Sequence, residues 1–366
     1  MPNNLLTISM ITNEALMVLE NELTFTSEVS REYDPQFAVV GAKIGATVNV
    51  RRPGRFIGAA GPALSVEDFY ESSIPVTLTT QWQVATQFTT QDLALSMDMF
   101  SDRVLKPMVA SAANKIDRDG LAMALAQTAN IVGTVGTRPT SLLTFLNAGA
   151  FLDSEGAPRD GRRCVVIDPF SSATIVDALK GLFVPESAIG EQYRKGLMGR
   201  DSGGMNWKMD QNIVTQTFGA WATAAGAVTV TSSSQGISTG WSSSSTLSLT
   251  TTATLTLNAG DVIQFTGINA VNPQSRASYG QAKNFVVATA VTATAGAFNV
   301  TVYPALISGG QFQNCTASPA AGTAVTFTSL ATGTANAVSG PQGIMFHRNA
   351  YTLATADLEL PEGVAH

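Results

Sequence analysis

Cysteine and histidine are almost missing from this chain. Cys164 and Cys315 are its only cysteines, and His347 and His366 its only histidines, in 366 residues. Two cysteines exclude a disulfide framework and a four-cysteine zinc site. Two histidines exclude a three-histidine metal site built from one chain. Charge is also scarce, at 13% of residues, where about a quarter is usual. The balance of 21 basic and 27 acidic residues leaves a net charge of −6, which opposes a generally basic nucleic-acid binder. A hydrophobic fraction of 45% opposes a disordered chain. No apolar run reaches the roughly 18 residues of a membrane-crossing helix, so no membrane association is expected. The start, MPNNLLTISMITNEALMVLEN, lacks a basic n-region. A secretory signal is therefore not expected, and the default compartment is cytoplasmic. No Walker loop, dinucleotide fingerprint or zinc-spaced cluster occurs. The sequence offers no catalytic, metal-binding or cofactor-binding residue, and the chain is expected not to be an enzyme.

The charges that are present are unevenly placed. Between Trp221 and Val338 there are three: Asp261, Arg276 and Lys283. This stretch is rich in Thr, Ser, Ala and Gly and reads as an autonomous unit inserted into a more ordinary host. Its hydrophobic residues are patterned. Leu247, Leu249, Ala253, Leu255 and Leu257 alternate, and Asn258–Asp261 supplies turn chemistry. Val262, Ile263, Phe265, Phe285–Val287, Phe298, Val300, Val302, Val325 and Phe327 continue the series. Short strands with turns between them predict an antiparallel barrel or sandwich whose solvent face carries hydroxyls.

Upstream, period-two patterning runs from Ile74 to Phe88, about 50 Å of strand at about 3.3 Å per residue. Residues 47–51 (TVNVR) alternate too. The two read as a long two-stranded arm whose tip, RPGRFIGAAGPALSVEDFYESS, is rich in Gly, Pro and mixed charge. An isolated hairpin is marginal in water, so the arm is expected to rest on a neighbouring subunit, or else on its own domain. Arg51, Arg52 and Arg55 are the densest basic cluster, and Glu67, Asp68 and Glu71 share their loop. Protein contact is favoured over nucleic acid here. With Phe56 and Phe69 these residues are the candidate inter-subunit contacts. A helix follows, capped by Thr89 or Thr90, with the stripe Leu105, Val109, Ala112, Ile116 and Met123 and a break or fresh start at Pro107. Beyond it the readings are helix at 141–152, a buried strand at 163–167, helix at 170–183, a hairpin at 203–214, and returning strands at 343–346 and 351–360. The DSGG at 201–204 is similar to a serine-protease nucleophile motif, but both histidines follow Ser202, in the wrong order for that triad. A Gly-rich turn is the simpler reading.

Several stretches together resemble the P-twenty-two-like coat protein family of tailed bacteriophages. They are ITNEALMVLEN, VRRPGRF, DLALSMDMFSDRVLKPMVASAANKID, GLFVPESAIGEQYRKGLMG, GDVIQFTGINAVNPQSR and FHRNAYTLATADLELPEGV. The resemblance implies an α+β protein with the HK-ninety-seven-type phage capsid fold and an inserted antiparallel β-barrel domain. The N-terminal arm would be residues 1–34. Residues 35–139 would hold the extended loop (about 47–88) and the peripheral domain with its spine helix (about 90–132). The axial domain would take 140–220 and 339–366, and the inserted barrel 221–338. Family members usually continue past the LELPEGV element with another strand-bearing segment, whereas this chain stops at His366.

The implied function is a major capsid protein that self-assembles into the icosahedral head shell around double-stranded DNA, bound without sequence specificity. The implied partners are copies of itself in pentamers and hexamers, a scaffolding protein, a portal and a decoration protein. The implied location is the virion, after assembly in the host bacterial cytoplasm. Some capsids of this fold crosslink through a loop lysine. This chain has no lysine between Lys43 and Lys106, so its shell would rely on noncovalent contacts. The alternative reading of the Thr-rich insertion is a β-rich adhesin or carbohydrate-binding module.

Overall fold

The computed structural model describes residues 23–31, 47–52, 54–58, 61–62, 64, 66–67, 69–77, 80, 82–84, 101–179, 203–220, 228–237, 240–327 and 338–354. The chain divides into two units. One is Met1–Asn49, Pro75–Leu121 and Arg348–His366, and the other is Val50–Ile74 and Ala122–His347.

Strands β1 (Thr47–Arg52) and β2 (Ser72–Thr77) form a two-stranded sheet. The arm is therefore shorter than its 15-residue alternation. Residues 80 and 82–84 are not strand, and 85–88 lie outside the described residues. Alternation shows which side chains share a face, but a strand lasts only as long as its hydrogen-bonded partner. β1 supplies six residues.

In the first unit a π-turn, Ser101–Leu105, leads into helix α1 (Lys106–Gln127). Pro107 has no N–H to give, and the wider turn ends just before it. The Thr89 and Thr90 cap lies outside the described residues. The C-terminal end falls at Gln127, short of the 132 that the resemblance implies. The buried stripe of α1 is Leu105, Ala113, Asp117, Leu121 and Ala124, and Met123 is exposed. The predicted stripe was thus rotated, because a carboxylate occupies the middle of the buried face.

Asp117 is 1% exposed. It accepts hydrogen bonds from the Thr24 N–H at 2.7 Å, the Thr26 N–H at 3.0 Å and the Thr26 hydroxyl at 2.6 Å. Phe25, between them, lies over Gly120, where an added Cβ would be 3.0 Å from the ring. The same ring meets Tyr351 at 6.0 Å. Ser30 N–H donates to the carbonyls of Arg348 and Tyr351, and Leu353 N–H donates to Ser30 O. Residues 24–30 thereby join the helix to the C-terminal stretch. That stretch is a 3-10 turn, Arg348–Ala350, and a single bridge, Ser30↔Thr352, rather than the start of a strand at 351. Residues 355–360 lie outside the described residues.

The second unit contains α2 (Leu142–Ser154), where the Ser141 hydroxyl accepts from Leu143 N–H at 3.2 Å. Then come β3 (Arg163–Ile167), buried throughout, and α3 (Pro169–Leu179), started by the Asp168 carboxylate on Ser171 N–H. β4 (Asn206–Met209) pairs parallel with β3, whereas β5 (Thr215–Thr217) joins another sheet. The predicted 203–214 hairpin is therefore wrong. Trp207 follows the buried strand β3 into the host core instead, its ring tilted against Phe145 with centroids 4.8 Å apart.

The insertion consists of β6 (Thr229–Val230), β7 (Ser245–Thr251), β8 (Leu255–Leu257), β9 (Val262–Val271), β10 (Ser278–Val287), β11 (Val291–Ala293), β12 (Gly296–Tyr303) and β13 (Val325–Phe327). Six of these form one sheet in the order β13-β9-β10-β12-β7-β6. Thr229 bridges Ala324, and Val325 N–H donates to Val228 O at 2.9 Å. The first and last strands thus meet, and the sheet curls into a nearly closed barrel. The predicted inward residues fill it: Leu247, Leu249, Ile263, Phe265, Phe285, Val287, Val300 and Val302 are all buried. Each such side chain contributes roughly 1.5–3 kcal/mol. The run from Leu247 to Leu257 is two strands, since a turn at 252–254 moves β8 onto β11.

β14 (Ser339–Pro341) pairs antiparallel with β5, matching Ser339 to Thr217 and Pro341 to Thr215. The strands entering and leaving the insertion are thereby zipped into one stem. β15 (Ile344–His347) returns to the host sheet antiparallel to β3.

Asp117→Ala leaves three donors of the 24–26 turn unanswered. It is expected to cost about 2–4 kcal/mol in urea unfolding, with residues 24–30 losing hydrogen-exchange protection first.

Candidate functional site

Among the described residues, the tip of the loop between β1 and β2 carries a dense set of exposed apolar side chains. Phe56 is 60% exposed, Leu64 91%, Val66 82% and Phe69 58%. Phe56 and Phe69 stack, with centroids 5.9 Å apart and planes 22° apart. Gly54 permits this, since a Cβ there would sit 2.5 Å from the Phe69 ring. Glu67 closes the tip by accepting from Ile57 N–H at 2.7 Å.

The basic cluster divides. Arg51 faces Glu71 at 3.8 Å with both side chains exposed, a pairing of small energetic weight. Arg52 is half-buried, with its guanidinium 4.8 Å from the centre of the Trp241 ring. Burial, and then the nearby Arg55, lower its pKa from the usual value. Arg55 is exposed. Asp68 lies outside the described residues.

The loop touches the insertion. Tyr70 meets Phe312 edge-on at 5.7 Å. The Arg276 guanidinium donates to Phe56 O at 3.1 Å. Phe312 and Trp241 belong to a small apolar cluster beside the barrel, with Ala305, Ile307 and Ile237. Nothing in the local pattern of the loop pointed to these partners. One signal was available: Arg276 is one of only three charges in the insertion.

The other two charges also join the insertion to its surroundings. Lys283, 5% exposed, donates to Glu155 at the end of α2 at 2.6 Å, and Tyr279 OH donates to the same carboxylate at 3.4 Å. Beside them Asn284 Nδ2 donates to Asn130 Oδ1 at 3.1 Å. Burial, together with the Glu155 charge, pushes the Tyr279 phenol well above its ordinary pKa. Asp261 is fully buried at the top of the stem. It accepts from Gly219 N–H at 3.1 Å and Asn258 N–H at 2.8 Å. Burial raises its carboxyl pKa to about 6, against the pull of these donors.

The remaining sequence candidates have structural partners. His347 bonds Asp160 at 3.0 Å. Cys164 and Cys315 are buried and form no disulfide, and burial pushes the Cys315 thiol up to about 11. Gly203 and Gly204 have φ of +69° and +76° and form a turn, while Ser202 lies outside the described residues. A cavity of about 370 Å³ under residues 128–140 is lined by Phe145, Phe151, Val165, Ile167, Phe218 and Val262. At its wall Asp168 is engaged with Arg138 and Ser171. Among the described residues no group of His, Cys, Asp and Glu is arranged to hold a metal ion, and no helix is long and apolar enough to cross a membrane.

A family model described as P22 coat protein, gene protein 5, matches residues 1–362. Two solved structures are similar to parts of the chain. The CUS-3 coat protein I-domain is 18% identical, with a TM-score of 0.22, over 28% of this chain and 96% of that one. A chain from Mycobacterium phage Che8 is 12% identical, with a TM-score of 0.35, over 76% of this chain and 86% of that one. No curated protein matches. The family match takes in the host elements and the insertion alike.

Glu155→Ala strands the buried Lys283 ammonium and is expected to cost about 3 kcal/mol in denaturant unfolding. Lys283→Met costs much less, because Glu155 keeps access to water. For Asp261 the folded pKa lies above the unfolded one. Its contribution to stability is therefore fully present below about pH 4 and is lost as the pH rises through about 6. Between pH 4 and pH 7 the wild type should lose about 2–3 kcal/mol relative to Asp261→Asn, read from urea melts of both chains.

Proposed function

The chain belongs to the P22 coat protein family and is a phage major capsid protein; from that premise we propose that it closes into an icosahedral head shell around double-stranded DNA. The observation that carries this reading is the family match over residues 1–362. Membership implies a structural role in the virion rather than a catalytic one, with self-assembly as the mechanism. The reading extends to the HK-ninety-seven-type architecture. Residues 1–34 serve as the N-terminal arm, 35–139 as the extended loop and peripheral domain, 140–220 and 339–366 as the axial domain, and 221–338 as the inserted barrel. The subunits form pentamers and hexamers in the host cytoplasm. They work with a scaffolding protein and a portal and accept a decoration protein. A net charge of −6 suits a wall that encloses DNA without gripping it.

Within this reading the loop tip makes the contact between subunits. Phe56, Leu64, Val66 and Phe69 present apolar area that their own chain leaves uncovered. Such area is the material of an interface core. Arg51, Arg55, Glu67, Asp68 and Glu71 form its polar rim, which sets orientation more than affinity. Arg52 drops out of the outward-facing set, since Trp241 of its own chain engages it. The adhesin or carbohydrate-binding reading is not favoured, because the family match includes the Thr-rich insertion rather than leaving it as a foreign module.

Negative-stain electron microscopy of the recombinant chain, expressed with and without its neighbouring phage genes, tests the proposal. Closed shells or regular capsomers are expected, and dispersed monomer in both preparations would overturn it. Replacing residues 53–71 with a short turn should leave a folded, soluble subunit that no longer closes shells. Wild-type shells from that variant would remove the loop from the assembly mechanism.

A further inference from the structure

The loop proposed to bridge subunits is already held by its own chain at three separate points. Arg52 lies over Trp241, Tyr70 meets Phe312 in an edge-to-face contact, and Arg276 reaches the carbonyl of Phe56. Two of the three insertion groups belong to one small cluster apart from the barrel core. The barrel packs its own interior without that cluster. In its place the cluster offers two aromatic faces to the loop.

Arg276 is built for reach. The turn before it is organised by Asn272, whose side-chain oxygen accepts from Gln274 N–H at 2.9 Å and Ser275 N–H at 3.1 Å. Arg276 itself has a φ of +57°, in the left-handed region that non-glycine residues avoid. A glycine would satisfy this backbone better, yet the position carries the longest cation. Its guanidinium joins three carbonyls: Gln274, Gln311 and Phe56. The first two belong to the insertion and the third to the loop. In a segment almost free of charge, this is a fork that fastens one to the other.

The geometry points to Arg276 as a positioning residue: with the Trp241 and Phe312 faces it forms a seat on the insertion that fixes the direction of the loop before a neighbour arrives. The consequence for assembly rests on the shell reading above. A loop already ordered loses less conformational entropy when it meets the next subunit. The insertion thus serves assembly through its own chain's loop, in addition to any outward contact.

The test uses two full-length variants that act from opposite sides of the seat. Arg276→Gly removes the fork while relieving the backbone, so loss of the insertion's fold does not confound it. Tyr70→Ala acts from the loop and leaves the insertion intact. Hydrogen-exchange mass spectrometry of unassembled subunits should show peptides from 54–71 exchanging about tenfold faster in each variant, with strands β7 and β9 unchanged. Arg276→Lys, which keeps a donor, should restore part of the protection. Unchanged exchange in 54–71 for both variants would overturn the seat. The assembly role is read separately, as the rate of shell formation by light scattering. Slower closure by both variants supports it. Wild-type rates with a released loop would overturn it while leaving the shell reading in place. Failure of the wild type itself to form shells would count against the shell reading alone, since the seat is judged by exchange.

Discussion

A domain with almost no charge has to be attached by the few charges it retains, and this requirement organises the second unit. The barrel core is apolar and self-contained, and its surface is largely hydroxyl. Neutral contacts to the host, such as Asn284 on Asn130, add single hydrogen bonds. Direction comes from Lys283 on Glu155, from Asp261 over the backbone of Gly219, and from Arg276 on the loop. The paired stem of β5 and β14 sets where the insertion leaves the host. The Lys283 and Asp261 contacts fix it there, and Arg276 passes the constraint on to the loop. Burial makes the pairing of Lys283 and Asp261 obligatory, because a desolvated charge without a partner is far more costly than a surface one.

The first unit uses the same physics with a single carboxylate. Asp117 lies on the buried face of α1, where an apolar residue would be the default, and it collects three donors from residues 24–26. Phe25 can approach only because residue 120 is glycine. The arrangement ties residues distant in sequence, and the C-terminal stretch is included through Ser30. An apolar residue at 117 would pack against the helix's neighbours but leave that turn without its acceptor.

Much of this was legible in the sequence, and the misses share a cause. The insertion's strands and most of its inward residues follow from alternation, a local signal. The buried strand β3 and the helices beside it are local in the same way. The arm was overextended because the sequence displays alternation along one strand but not the length of its partner. The 203–214 hairpin failed because β4 pairs with β3 across more than thirty residues, not with the strand next to it in sequence. The stripe of α1 was misplaced because Asp117 is buried by partners 91 and 93 residues away. In the loop, Phe56 and Phe69 were named as candidate contacts from their setting, and both are exposed. The cluster of Arg51, Arg52 and Arg55 could not be divided between rim and seat without knowing that Trp241 comes to lie beside Arg52.

The closing of the inserted sheet on itself has a consequence at the scale of many copies. A shell concentrates its subunits far beyond any dilute solution and repeats each surface at fixed intervals. A β-rich domain with an unpaired outer strand would then present the same template again and again, and strand addition between neighbours would compete with ordered assembly. In this barrel the first and last strands meet through Thr229 and Ala324, so their backbone donors and acceptors are largely spent within the chain. Threonine and serine side chains cover the outside with groups that water solvates well and that form no apolar patch. A domain of this kind can be crowded at high density without polymerising, which is the property a domain repeated in every subunit of a closed container needs.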